Sequence, residues 1–501
     1  MNVQQFFEHH GIASNPFADE DAQTDLVFKE HCLRDVHHPT WDKIYGDPSE
    51  PATSVVFGEK GAGKTAMRLQ IVESLAAYNR ENSGEGVFVI TYDDLNPFLD
   101  RFRDTLSSRR RRADRALSEW KLWDHIDAVL SLGVTSLVDR ILKTSHPTGV
   151  ATEVSPSRVQ MLDRNQARDL LLLTACYDAS TAETAKGRWH RLRRHLKFRT
   201  YRSYFDMAIG IIVTLAVLGI VGYSISVDSS NTSWFASPWI YLMIAAGWLP
   251  RLWRMTRCFF QARGIVRHVR IGNRVTNPLR QVLMHFSSAE IANQPLPNKQ
   301  RTDDRFELLD KFQGVLATLG FKGVVVLVDR VDEPHLINGS AEQMRAFLWP
   351  MLDNKFLKHP GLGLKLLLPI ELTPFLDRED REFFQRSRLD KQNMIRSLEW
   401  TGEALYDVAC ARISACAVAD RTPNLTDLFE EDITEARLVE AMRMLRVPRN
   451  LFKFMYQLFV THCNAHTESH PEWKISSELF ESTLAVSLRD QDKVERGLRA
   501  G

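Results

Sequence analysis

Apolar and polar positions alternate between two periods along this chain. Ser54-Val55-Val56-Phe57 is a short apolar run, and the segment from Ala66 to Val72 is helical in pattern. Such a run bounded by turn residues reads as a buried strand, and the pairing of the two as strand then helix. The same reading makes strands of Val87-Phe88-Val89-Ile90-Thr91-Tyr92, of 321–329, of 363–370 and, more briefly, of 395–398. Continuous β-branched runs belong to strands covered on both faces, as in a parallel sheet between helices. Helical patterns are expected over 117–142, 159–177 and 306–319, the last closed by Gly320, and from Thr401 to the end of the chain. The segment 97–145 reads as helical and polar, with a basic run at Arg109-Arg110-Arg111-Arg112, and 146–149 reads as a linker.

One stretch breaks both patterns. Residues 207–227 (MAIGIIVTLAVLGIVGYSISV) carry no charge, and 234–253 carry only Arg251, near their far end. Each is close to the ~20 residues that a helix needs to cross ~30 Å of hydrocarbon. The loop 228–233 has no Lys or Arg. Lys186, Arg188, Arg191, Arg193, Arg194, Lys197, Arg199 and Arg202 crowd the outer flank before the first stretch. Arg251, Arg254, Arg257, Arg263, Arg267, Arg270 and Arg274 follow the second. Trp234, Trp239, Trp248 and Trp253 stand where an aromatic belt would. The expectation is a multi-pass hairpin in the cytoplasmic (inner) membrane, spans at about 205–227 and 234–253, with membrane lipids as partners and both termini cytoplasmic.

Composition changes little of this. Of 501 residues, 44% are hydrophobic and 25% charged, which is a folded protein with room for several domains. A net charge of +1 and the lack of a recognisable DNA-binding module give no indication of nucleic acid as partner. None of the six cysteines forms a C-x-x-C pair, so neither a zinc ribbon nor a disulfide framework is expected. The N-terminal segment lacks the charged and apolar regions of a cleavable signal peptide.

The candidate chemistry sits between the first strand and the first helix. Gly58-Glu59-Lys60-Gly61-Ala62-Gly63-Lys64-Thr65, followed by Ala66, has the spacing G-x-x-x-x-G-K-T in the strand–loop–helix context this motif requires. Its glycines let backbone N–H groups turn inward toward phosphate oxygens, Lys64 is placed to reach the β- and γ-phosphates, and the Thr65 hydroxyl is a ligand for Mg²⁺. ATP and Mg²⁺ are therefore the expected cofactors. The run at 321–329 ends in Asp329, at the carboxyl end of a strand where an acid would order the Mg²⁺. Asp332 and Glu333 follow, and Glu333, with Asp332 as the alternative, is the candidate to polarise an attacking water. Arg449, opening a C-terminal helix after Pro448, either reaches the γ-phosphate from a helical lid or is a helix-terminal surface arginine. Arg378, Arg381, Arg386 and Arg388 are candidates to complete a neighbouring subunit's site, or are a solvated face. Phe17 and Tyr45 either pack on a base or serve the core. His462, His466 and His470 have helical spacing, but Pro471 ends the helix and no carboxylate completes a metal site.

With these residues in view, the chain resembles the KAP-type P-loop ATPases, related to the STAND and AAA+ groups. The resemblance rests on GEKGAGKT, on VVVLVDRVDE with its D-x-x-D-E spacing, and on the hairpin between them; Pro448-Arg449 resembles the lid of Orc/Cdc6-like ATPases. It implies an α/β fold: a three-layer P-loop core with a parallel sheet, interrupted by a helical and transmembrane-hairpin insertion and followed by a C-terminal helical lid. The expected divisions are 1–96 (first half of the core), 97–204 (cytoplasmic helical insertion), 205–254 (hairpin), 255–305 (basic return), 306–400 (second half of the core) and 401–501 (lid). It also implies a membrane-attached regulatory or defence-type ATPase, switching conformation or assembly as a homo-oligomer or with a protein partner. KAP sequences usually carry a second Asp directly after the first in this strand; here that place is taken by Arg330. Two rival readings are a nucleotide-gated effector that perturbs the bilayer and an Orc/Cdc6-like ATPase acting on DNA.

Overall fold

The structure, a computed structural model, describes residues 1–34, 36–144, 154–227, 238–292, 294–352, 355–387, 389, 393–419 and 421–499. The expected linker at 146–149, the loop 228–233, Trp234 and Arg388 lie outside the described residues. The principal elements are, in order, β1 (Ser54–Gly58), α1 (Lys64–Glu81), β2 (Gly86–Tyr92), α2 (Leu122–Leu142), α3 (Arg164–Tyr177), α4 (Ala185–His195), α5 (Phe205–Val227), α6 (Pro238–His268), α7 (Thr302–Leu319), β3 (Phe321–Val328), β4 (Leu362–Pro369), β5 (Asn393–Ile395), α8 (Gly402–Ala415), α9 (Glu435–Leu445), α10 (Pro448–Ala465) and α11 (Ser477–Arg499).

The fold is α/β, with a five-stranded parallel sheet in the order β2-β3-β4-β1-β5. β1 lies between β4 and β5, with Val55 opposite Leu366 on one side and Met394 on the other. All of β1 and β4 is buried, which is why their sequences run apolar without alternation. The last strand forms at 393–395, two residues before the apolar stretch that the sequence suggested. Leu398 still reaches β1, its N–H donating to the Phe57 carbonyl at 2.8 Å.

The chain divides into two compact units. One comprises Met1–Asn82, Thr91–Asp93 and Val325–Gly501; the other comprises Ser83–Ile90 and Asp94–Val324. The boundaries fall inside β2 and β3. In the first unit the C-terminal helices α8 to α11 share an apolar core with the N-terminal helix Val3–His9, through Phe6, Phe7, Leu405, Leu451, Phe454 and Phe459. Phe17 belongs to this core, 5.9 Å from the Phe452 ring.

In the second unit α2 is buried on nearly all sides, its acids included, where the sequence reads as polar and amphipathic. A buried carboxylate needs a partner. Arg270 reaches Asp124 (Nε–Oδ1 3.0 Å), Arg305 reaches Asp127 (3.2 Å) beside the Tyr177 hydroxyl (2.7 Å), and Arg188 bridges Asp139 and Asp178 (2.5 and 2.8 Å). The helical pattern at 159–177 resolves into a short turn and α3, because Asp163 caps the latter: it accepts from the Gln166 N–H at 2.6 Å while Gln166 reaches back to the cap.

Helices α5 and α6 form an antiparallel pair. A Cβ on Gly210 would stand 2.9 Å from Trp248, and one on Gly247 would stand 2.7 Å from Val213, so glycine allows the close approach. Trp248 Nε1 donates to Thr214 Oγ1 at 3.1 Å. At the foot, Arg254 is buried; it pairs with Asp206 (2.8 Å) and donates to the carbonyls of Ser203, Met284 and Phe286. Outward from the pair, Ile212, Leu215, Leu218, Trp239, Leu242 and Leu249 are at least half exposed. Among the described residues, one stretch, Phe205–Ser224, is long and apolar enough to cross a membrane.

Candidate functional site

The turn between β1 and α1 is built by backbone conformations that favour glycine. Gly61 has φ +92° and Gly63, the residue capping α1, has φ +90°. The Gly63 carbonyl starts the helix by accepting from Met67 N. The Lys64 ammonium folds back over the turn and donates to the carbonyls of Gly58 (2.7 Å) and Glu59 (2.8 Å). Thr65 Oγ1 donates to Asp329 Oδ2 at 3.0 Å, joining the turn to the end of β3 across 264 residues of sequence.

These groups line a cavity of about 340 Å³ within the first unit. Lys60, Gly61, Gly63, Lys64, Thr65, Ala66, Asp329, Asp332, Glu333 and Arg449 all reach its wall; Gly58, Glu59 and Ala62 stand behind them as backbone of the turn. Phe28, Val36, Met67, Val408, Ala411 and Phe452 also line it, as do Asp25, His38, Gln70 and Arg412. Neither Phe17 nor Tyr45 takes part: Phe17 is in the helical core, and Tyr45 stacks on Trp41 at 5.1 Å. Arg378 lies over Phe375, and Arg386 pairs with Glu382 at 4.0 Å, both outside the cavity wall, as is Arg381. His462 Nε2 donates to the Glu472 carbonyl at 3.0 Å, and no metal-holding cluster of His, Cys, Asp or Glu occurs among the described residues.

Arg449 opens α10 directly against the turn. Its N–H donates to the Gly61 carbonyl at 3.4 Å, and a Cβ on Gly61 would lie 2.6 Å from Arg449 Cβ. Its Nε has no hydrogen-bond partner, although Glu20 stands 3.7 Å away; Glu20 also faces Lys453 at 3.6 Å. Arg446 pairs with Glu59 at 3.0 Å, and Trp400 Nε1 donates to the Ala62 carbonyl at 2.9 Å, so two C-terminal side chains and the Arg449 backbone N–H hold the turn.

Burial pulls the Lys64 ammonium below the usual lysine range, against the attraction of Asp329, Asp332 and Glu371. Burial raises Asp329, opposed by Arg68 and by the Thr65 hydroxyl. Glu333 is also raised by partial burial, and Arg330 Nε holds it at 3.0 Å with Arg330 itself at φ +58°. Burial lowers His38, whose Nε2 donates to the Glu399 carbonyl (2.9 Å) while Nδ1 faces the Thr40 hydroxyl (2.8 Å).

Two residues of the site escaped the sequence reading. Arg68 is buried between Asp93 (2.6 Å) and Asp329 (3.2 Å). It lies three residues beyond Thr65, hence on the same helix face, which is the signal that would have found it. Glu371 lies just past β4 and lines the cavity, facing Lys64 electrostatically. Its signal was an acid at the carboxyl end of a core strand, the edge where ligands bind in open parallel sheets.

The donors suit a phosphate chain and the acids a divalent cation. Lys64, Arg449 (its Nε ion-paired with Glu20 at 3.7 Å) and the helix start offer positive charge, and the turn leaves no room for a side chain at Gly61. Thr65 and Asp329 are oxygen donors of the kind Mg²⁺ takes. Comparison of the chain with protein-family profiles, with curated proteins and with solved structures finds no match.

Proposed function

We propose that this chain is a membrane-anchored P-loop ATPase, a three-layer core carrying a transmembrane hairpin in its insertion and a C-terminal helical lid. The observation that carries the reading is the 3.0 Å hydrogen bond between Thr65 and Asp329, which unites the G-x-x-x-x-G-K-T turn with the acid ending β3. The cavity supports it, since the cationic turn and apolar side chains such as Phe28, Val36 and Phe452 line the same space. In this reading the turn's N–H groups and Lys64 hold the β- and γ-phosphates, and Arg449 adds charge at the γ-phosphate from the lid. Mg²⁺, held by Thr65 and Asp329, would neutralise phosphate charge when bound. Glu333, or Asp332 beside it, takes the proton of the attacking water. The exposed apolar sides of α5 and α6 support insertion into a bilayer, with both termini on the cytoplasmic face as the flanking arginines imply. Conformational or assembly switching at that face, in signalling or defence, is the role we assign to it.

One observation favours a second reading, in which nucleotide binding acts as a switch with little turnover and the hairpin perturbs the bilayer: Glu333 is held by Arg330 rather than free. Phosphate release from Mg-ATP by the full chain, wild type against Lys64→Ala, tests the ATPase, and retention in the pellet after an alkaline carbonate wash tests the anchor. The ATPase reading fails if the two proteins release phosphate equally. The anchor fails if the wash frees the chain.

A further inference from the structure

Many of the basic residues flanking the hairpin are not available to a membrane. Arg188, Arg254 and Arg270 are buried in ion pairs, Arg274 donates to the carbonyls of Thr174, Cys176 and Asp178, Lys186 reaches Gln281 (2.6 Å), and Arg191 pairs with Glu183. Of the rest, Arg263 and Arg267 line a hollow along α6, and four others gather near the start of α5. Arg193, Arg194, Lys197 and Arg199, with Tyr201 and Tyr204, line a shallow concavity of about 540 Å³ between α4 and α5, and no carboxylate lines it. The nearby acids are engaged elsewhere: Glu183 with Arg191, Glu290 with Arg164.

This collar is held in shape. Arg193 Nη1 donates to Thr200 Oγ1 at 2.9 Å, and the Lys197 turn (φ +51°) closes on the Arg194 carbonyl. Phe198 is buried, with the Arg164 guanidinium 4.6 Å above its ring. Ser203 gives its hydroxyl to the Thr200 carbonyl (2.6 Å) and its carbonyl to Arg254 (2.7 Å), which fastens the collar to the foot of the hairpin. The Asp206–Arg254 pair and the Gly210–Trp248 contact set the level of both helices. Tyr201, Tyr204 and Phe205 are exposed at that level, and the exposed apolar side of α5 begins directly beyond them. Amphipathic tyrosines favour the headgroup region of a bilayer.

We propose that residues 193–204 form a binding site for the headgroup of an anionic phospholipid, the two tyrosines lying at the interface and the four cations meeting the phosphate. The inference rests on the membrane reading above. It predicts selective retention of acidic lipid, since each basic side chain near a membrane surface favours it by a factor of about five.

The test uses the full chain reconstituted in vesicles of roughly four parts phosphatidylcholine to one part phosphatidylglycerol. The vesicles are floated, protein-containing discs are cut out with a styrene–maleic acid polymer, and the lipid in them is quantified. Wild type is expected to raise the ratio of phosphatidylglycerol to phosphatidylcholine by up to about fivefold over that of the vesicles, and Arg194→Gln/Lys197→Gln/Arg199→Gln to leave it unchanged. Arg194→Lys/Arg199→Lys keeps the charge and the enrichment, and Arg109→Gln/Arg112→Gln/Arg115→Gln, which removes equal charge elsewhere, keeps it also. Equal phosphatidylglycerol in wild type and the first variant overturns the proposal. So does loss of enrichment on adding inorganic phosphate, which would mark a small-anion site instead. Wild type that fails to float overturns the membrane reading and this site with it, whereas floating without enrichment overturns this site alone.

Discussion

Gly61 is the point where the phosphate-type turn and the C-terminal helices meet, so substituting it should separate binding by the turn from support by the lid. Three glycines of the cavity wall have left-handed backbone, Gly61 at φ +92°, Gly63 at φ +90° and Gly339 at φ +72°, and the first and last of them make the comparison. Alanine at either costs about 1–2 kcal/mol in backbone energy. The surroundings differ. Nothing lies within 4 Å of a Cβ on Gly339, whereas at Gly61 it would stand 2.6 Å from Arg449 Cβ. Carbon atoms rest at about 3.5–4.0 Å, so the start of α10 has to retreat by about 1 Å, and it cannot do so by swinging a side-chain end. That retreat takes Arg449 from the cavity and strains the Trp400 and Arg446 contacts with the turn. Gly61→Ala should therefore weaken binding of a fluorescent ATP analogue by at least about tenfold, or about 1.4 kcal/mol, beyond Gly339→Ala. Equilibrium titration of both variants of the full chain in detergent, with unfolding midpoints recorded beside it, measures the difference. Indistinguishable affinities for the two variants would refute the inference that α10 shapes the binding site.

Three further outcomes are expected. Arg254→Met leaves Asp206 and three carbonyls at the hairpin foot without their donor and should cost about 3–5 kcal/mol, read as a lowered unfolding midpoint in detergent; an unchanged midpoint contradicts the buried pair. Lys365 is buried and donates to the carbonyls of Ile44 and Tyr45, and burial pulls its ammonium down from 10.5 to about 8. Between those values the unfolded chain binds the extra proton. Stability should therefore rise with pH from about 8 to about 10.5, by up to about 3 kcal/mol, and Lys365→Met should flatten that slope in denaturant titrations. Glu333→Gln should cut phosphate release by at least about 100-fold while nucleotide still binds, whereas Arg330→Gln, by freeing Glu333, should raise it. Equal rates in wild type and Glu333→Gln would move the role to Asp332 or Glu371.

Much of the candidate site was legible because its chemistry is local. The turn is contiguous, Gly61 and Gly63 sit where left-handed backbone is needed, and Asp329 ends an unmistakable apolar run. The sheet was legible for a related reason: a fully buried parallel strand shows its burial in sequence as an unbroken apolar run. What was hidden depends on partners far away in the chain. The acids of α2 look like a solvated face until Arg188, Arg270 and Arg305, from 49 to 178 residues away, neutralise them. By the same token, an arginine count around the hairpin cannot distinguish Arg254, bound to four internal acceptors, from Arg194, which faces outward. Arg68 escaped because a lone arginine on a helix carries no motif, and its meaning comes only from Asp93 and Asp329 beside it. The aromatic residues suggested for base packing were drawn from sequence proximity to the turn, but the wall is supplied by Phe28, Trp400 and Phe452, two of which lie more than 300 residues from it in sequence.

Equilibrium dialysis of radiolabelled ATP against the full chain in detergent, with and without Mg²⁺, tests nucleotide binding at residues 58–65 most directly. One ATP per chain is expected for wild type, tighter with Mg²⁺, and weakened at least about 100-fold by Lys64→Ala, with Asp329→Asn removing the Mg²⁺ dependence. Binding that is absent from folded wild-type protein, or that survives both substitutions unchanged, would contradict it.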